Sequence, residues 1–156
     1  MKLFALLISL LIFSPNLMDI TEVRNSYRYA KKSAENTEKF YQIIQKTNYK
    51  TDNVLSAYYG CALTLKASFA DKRGDKISFF KQGKKIIEAA ITSEPDNIEL
   101  RMIRLSVQTS APRITRYYKN IESDKKFLQD NVNKVPSPKL KEFIKGFMST
   151  SEAFAD

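Results

Sequence analysis

A chain of 156 residues that is 43% apolar and 12% aromatic can bury one core without metal or disulfide support, and is too short for several. Four Gly and five Pro leave few positions for tight hairpin turns, which argues against an all-β fold and for helices joined by short loops. The absence of His removes Ser-His-Asp and Cys-His catalysis, the common zinc sites and the most usual general base, while a net charge of +9 directs attention to anionic partners.

Met1 and Lys2 precede an apolar run from Leu3 to Phe13 that only Ser9 interrupts, so residues 1–18 read as a signal peptide. A bilayer span needs about 20 apolar residues, and Ser14, Pro15 and Asn16 end this run at roughly half that length. The expected product is exported, periplasmic or secreted, and a peripheral place on a membrane is allowed. Ser14 to Asp19 holds no Ala-x-Ala pattern, so the mature start is expected between Leu17 and Ile20, with an uncleaved anchor as the alternative. Cys61 stands alone, which precludes an intramolecular disulfide, and its apolar neighbours predict a buried, inert thiol rather than a nucleophile.

Residues 19–150 then read as a single helical domain. Ile20, Val23, Tyr27 and Ala30 recur at helical spacing and predict a first helix to about Ser33, with Arg24, Arg28, Lys31 and Lys32 on its outer face. Thr37, Phe40, Tyr41 and Ile44 mark a second, ending near Asn48, with Glu35 and Glu38 in its first turn. Thr51 or Asp52 opens a third that is apolar around nearly its whole circumference, from Val54 to Phe69, and belongs at the centre; Gly60 on it predicts a close helix contact. Asp71 to Asp75 forms a polar turn, and a fourth helix carries Ile77, Phe80, Gly83, Ile87, Ala90 and Ile91 up to Pro95. Asp96 and Glu99 are spaced as a capping box for a fifth helix through Ile98, Met102 and Leu105, which Pro112 ends. Arg113 to Asn120 reads as a loop or short turn before a sixth helix with Ile121, Phe127 and Leu128. Ser137 and Pro138 open a seventh with Leu140, Phe143, Ile144 and Phe147 on one stripe, and residues 151–156 form a frayed tail.

Gly83, Ile87, Ala90 and Pro95 fall where the second helix of a tetratricopeptide repeat places a small residue, a bulky one, a small one and a terminating proline. Tyr59, Gly60 and Leu63 resemble part of its first helix, although Leu63 replaces the usual aromatic and the connecting turn is longer than the repeat permits. An ordinary amphipathic hairpin fits the same residues. Three further stretches are similar to a family of uncharacterised exported proteins of Bacteroidota. They run from Asp19 to Arg24, from Ile98 to Pro112, and from Asn120 to Leu128. That resemblance implies export and a tetratricopeptide-like fold and brings no activity, cofactor or site residues with it. The expected fold is therefore all-α, a short tetratricopeptide-like α-solenoid or bundle of about six to seven helices.

No catalytic residues, metal ligands or cofactor are expected. The pairs Glu35 with Glu38 and Glu122 with Asp124 read as solvated helix ends, and no phosphate loop, calcium loop or dinucleotide fingerprint occurs. Arg73-Gly74-Asp75 spells an adhesion tripeptide but reads as turn chemistry, with Gly74 able to supply a positive φ. The densest basic stretch interleaves Arg101, Arg104, Arg113, Arg116 and Lys119 with Tyr117 and Tyr118, and Lys81, Lys84 and Lys85 form a second cluster. A solvated basic surface and an anion-binding face both fit these residues.

The leading expectation is a non-catalytic binding module for a peptide or protein of the cell envelope, with Tyr58, Tyr59, Arg101 and Arg104 in its groove. The alternative is a basic peripheral protein that binds anionic membrane lipid or envelope glycan through Arg113 to Lys119. Nucleic acid is disfavoured by the signal segment. A homodimer is allowed, because a short array must cap or pair its apolar end, and the last helix is a candidate cap.

Overall fold

The computed structural model describes residues 19–155, so the apolar run read as a signal peptide lies outside the described residues. Seven helices follow in order: α1 (Ile20–Ala30), α2 (Ala34–Gln45), α3 (Asn53–Phe69), α4 (Arg73–Ser93), α5 (Ile98–Ser110), α6 (Ile121–Asn131) and α7 (Pro138–Thr150). No strand occurs among the described residues, and the all-α expectation holds. None of the described helices is long and apolar enough to cross a membrane.

The helix ends follow local chemistry. Helix α1 stops at Ala30, short of Ser33, because Ser33 adopts an extended backbone and its hydroxyl accepts from the Asn36 amide as the cap of α2. Thr37 ties the two together by donating to the Ala30 carbonyl at 2.8 Å. Asp52 caps α3 by accepting from the Leu55 amide, and Ser137 caps α7 from Leu140 with Pro138 just behind it. The expected capping box at Asp96 and Glu99 does not form. Asn97 is the cap of α5, taking both the Glu99 and Leu100 amides, while the Glu99 side chain turns into the core.

Helix α3 is the axis of the molecule, packing on α1, α2, α4 and α5. Ala57, Tyr58 and the run from Gly60 to Thr64 are buried, with Tyr59 half-buried between them, so the middle of this helix is covered on nearly every side. Around it Phe40, Ile44, Ile87, Leu100, Met102, Ile103 and Leu105 lose all contact with solvent, each contributing about 1.5–3 kcal/mol of transfer free energy.

Helices α3 and α4 form the tightest pair. A Cβ on Gly60 would stand 2.7 Å from the Gly83 carbonyl oxygen, so the two backbones touch where neither residue carries a side chain. Gly60 and Gly83 lie at similar distances from the connection, which makes the pair antiparallel. The connection itself is only Ala70 to Lys72, since α4 begins at Arg73; the extra length over the repeat pattern lies in the helices, not in the turn. Gly74 therefore belongs to the first turn of a helix and no glycine among the described residues has a positive φ, which overturns the reading of Asp71 to Asp75 as a polar turn.

The expected frayed tail is docked. Glu152–Phe154 forms a short 3-10 turn against α5, α6 and α7, and the Phe154 ring meets Phe147 edge-on at 6.4 Å.

Candidate functional site: a cation-rimmed cleft

Five helices converge on one cleft of about 1260 Å³, larger than the roughly 300–1,000 Å³ of small-molecule pockets. Each contributes one stripe at helical spacing. From α3 come Cys61, Thr64, Leu65 and Ser68; from α7, Phe143, Gly146, Phe147 and Thr150; from α5, Ser106, Val107 and Ser110. Helix α1 adds Tyr27 and Arg28, with Lys31 and Lys32 just past its end; α4 adds Arg73, Lys76, Ile77, Phe80, Lys81 and Lys84; and the loop after α5 adds Pro112, Ile114 and Thr115 at the rim.

The chemistry of the lining is two-fold. Tyr27, Leu65, Ile77, Phe80, Phe143 and Phe147 make it apolar, and Ile77 keeps 45% of its surface in water. The cationic side chains fall into two groups, Arg28, Lys31 and Lys32 at the C-terminal end of α1 and Arg73, Lys76, Lys81 and Lys84 on α4; Glu152 is the acid among the lining residues. None of these seven cations forms an ion pair among the described residues. Several lie over aromatic rings instead: Arg28 is 5.3 Å from the Phe143 centroid, Lys32 4.7 Å from Tyr29 and Lys84 4.9 Å from Tyr117. Like charges gathered over a low-dielectric surface focus a positive potential into the cleft.

The residues expected to form a groove are elsewhere. Tyr58 has no exposed surface; its hydroxyl donates to Glu99 at 2.7 Å, and Arg24 grips the same carboxylate with two bonds of 2.7 and 2.6 Å. Burial first, and then the Glu99 charge, raise the Tyr58 phenol well above its ordinary range. Tyr59 is half-buried in a tyrosine stack, 4.4 Å from Tyr49 and 5.5 Å from Tyr41 between ring centroids. Arg101 and Arg104 converge on Asp124: Arg101 Nη1 donates at 2.8 Å, Arg104 Nε at 2.7 Å and Arg104 Nη2 at 2.8 Å. Burial alone would lower the Arg104 guanidinium, but the bond and charge of Asp124, joined by Glu88, raise it. Tyr58, Tyr59, Arg101 and Arg104 thus share no groove, because three of them spend their polar atoms on buried or half-buried partners inside the fold and the fourth lies in the tyrosine stack. Asp124, expected at a solvated helix end, is completely buried.

The basic stretch divides the same way. Tyr117 is buried and donates to Glu88 Oε1 at 2.6 Å, and Glu88 Oε2 accepts from Arg104 Nη1 at 3.1 Å, so one carboxylate ties α4 to both α5 and the following loop. Burial, then Glu88, push the Tyr117 phenol up. Arg113, Arg116, Tyr118 and Lys119 are exposed on that loop, as a surface reading requires. None of the nine expected residues lines the cleft.

The lining was partly visible in the pattern. Arg73, Lys76, Ile77, Phe80, Lys81 and Lys84 recur at helical spacing as a mixed stripe of cations and apolar side chains, which neither a core face nor a solvated face needs. Cys61 is buried, and burial pushes its thiol up to about 12, so it is protonated at neutral pH and poor as a nucleophile. Glu38 is held below the usual carboxylate range chiefly by its bond from Lys66, at 2.7 Å. No protein-family model, curated protein or solved structure matches the chain.

Proposed function

We propose that this chain is a non-catalytic binding protein of the cell envelope, built on tetratricopeptide-like helical hairpins, that seats an acidic, amphipathic segment of a partner protein in the cleft. The observation that carries the reading is the pairing of an apolar lining with two cationic groups in one cleft. A helix laid in a groove needs an apolar seam for its buried face, and acids on its flanks would meet the α1 and α4 cations. Arg73 and Lys84 are separated by eleven residues, roughly 16 Å along α4 at 1.5 Å per residue. Charge distributed over that length matches acids spaced along a peptide better than one anionic headgroup.

The hairpin of α3 and α4, with Gly60 on Gly83, Ile87 and Ala90 buried, and Pro95 just past the helix, supports the tetratricopeptide-like reading. Export rests on the N-terminal sequence, and the similarity to exported Bacteroidota proteins on the stretches given above. The test is affinity capture of the tagged protein from envelope extract in rising salt, beside Ile77→Asp and the triple variant Lys76→Glu, Lys81→Glu, Lys84→Glu. The reading expects one stoichiometric protein, held by the wild type and lost from both variants. Equal capture by all three removes the cleft as its site.

A further inference from the structure

We propose that the loop from Pro112 to Lys119 is a docking surface for an anionic phospholipid bilayer, with Ile114 as its inserted tip. Ile114 keeps 89% of its surface in water, the highest value among the large apolar side chains described, and Tyr118 keeps 50%. Arg113, Arg116 and Lys119 surround them, all exposed, and none forms an ion pair among the described residues.

The loop is held in this shape. Arg113–Thr115 is a 3-10 turn closed by the Thr115 hydroxyl donating to the Pro112 carbonyl at 2.7 Å. Arg116 then adopts a left-handed backbone at φ 53°, a conformation unfavourable for a side-chain-bearing residue, and so needs support from its surroundings. The support is visible on the far side: Tyr117 is fastened to Glu88, and Gln108 and Asn120 clasp the base of the loop with two bonds of 3.2 Å. A rigid loop whose inward residue is anchored and whose apolar residue points out has already lost the conformational entropy that docking would otherwise cost.

The occupant follows from the surroundings of Ile114. A protein interface wants a contiguous apolar centre with charge kept to its rim. Ile114, with Pro112 and Thr115, belongs to the rim of the cleft, yet the cleft leaves 89% of its surface in water, and three exposed cations stand within five residues of it in the loop. A bilayer suits that pattern: an isoleucine reaches the acyl region, a tyrosine sits at headgroup depth, and Arg and Lys meet phosphates. Neither component alone gives firm attachment, and an apolar tip with a polybasic collar supplies the two signals that membrane anchoring needs.

The experiment is co-sedimentation of the full chain with vesicles of phosphatidylglycerol mixed with phosphatidylcholine, against phosphatidylcholine alone. The N-terminal apolar run is common to every variant, so differences between variants report the loop. Ile114→Asp is expected to weaken binding about tenfold or more. The triple variant Arg113→Gln, Arg116→Gln, Lys119→Gln is expected to weaken it on the order of a hundredfold on the anionic vesicles and little on the neutral ones. A matched control removes three exposed cations remote from the loop, Lys39, Lys46 and Lys50, on or just after α2, and should have a much smaller effect. A local reading comes from Ile114→Cys carrying an environment-sensitive fluorophore, since Cys61 is buried: its emission should shift blue on anionic vesicles only. Wild-type binding by Ile114→Asp, equal losses from the loop and control triples, or an unshifted label would each overturn the proposal.

Discussion

Replacing Asp124 with Ala is expected to be among the most damaging single changes in this molecule. The carboxylate has no exposed surface and accepts three charge-assisted hydrogen bonds of 2.7–2.8 Å from α5. Arg101 is partly exposed and can turn its charge toward water, but the Arg104 side chain is only 5% exposed and would keep a single 3.1 Å contact with Glu88. Breaking a buried pair by deleting one partner costs about 3–5 kcal/mol, because the survivor stays desolvated without its counter-charge. A domain with a total stability of about 5–15 kcal/mol would lose a large part of it. The assay is urea denaturation followed by helical circular dichroism, extrapolated linearly to water. The double variant Asp124→Leu, Arg104→Met supplies the control. Removing both charges and filling the space with apolar side chains should recover about 2 kcal/mol or more relative to Asp124→Ala. A loss below about 1 kcal/mol from Asp124→Ala, or a double variant no more stable than Asp124→Ala, would refute the assignment of Arg104 and Asp124 as a mutually dependent buried pair.

Glycine substitutions should divide by sign. Gly60→Ala forces a Cβ within 2.7 Å of the Gly83 carbonyl oxygen and is expected to cost about 1–3 kcal/mol, whereas Gly146→Ala meets nothing within 4 Å inside α7 and should gain about 0.5–1 kcal/mol; thermal melts of both decide it. Alkaline pH should destabilise the fold through Tyr58 and Tyr117. Their folded pKa values lie above the ordinary value of 10.0, so the unfolded chain loses protons first and stability falls as pH rises past that value. Each tyrosine adds up to about 1.4 kcal/mol per pH unit to the slope, and Tyr58→Phe should remove its share in denaturation series taken between neutral and strongly alkaline pH.

Much of the architecture was readable because its causes are local. The apolar circumference of α3 announced a central helix, Ser137 and Pro138 announced the start of α7, and Gly60 announced a close approach whose partner proved to be Gly83. What escaped reading depends on partners distant in the chain. Glu99 looked like half of a capping box until Arg24, 75 residues away, drew it inward. Arg101 and Arg104 looked like groove cations because their partner Asp124 lies 23 and 20 residues on, in a helix whose inward face carries an acid. The cleft as a whole escaped for the same reason: the α4 stripe hinted at it, but only the packing of α1, α4 and α5 about α3, with Phe143 of α7 against Tyr27, sets cations from residues 28–32 in one cleft with those from residues 73–84.

The most direct test of the cleft as a site for an acidic helical segment is fluorescence anisotropy with two labelled amphipathic peptides that share one leucine face. One carries Glu on both flanks and the other Lys. The Glu peptide should bind about tenfold or more tightly than the Lys peptide, added salt should narrow the difference, and the triple variant Lys76→Glu, Lys81→Glu, Lys84→Glu should reverse the preference. Equal affinity for the two peptides, or a preference that survives the triple reversal, would contradict the cleft as that site.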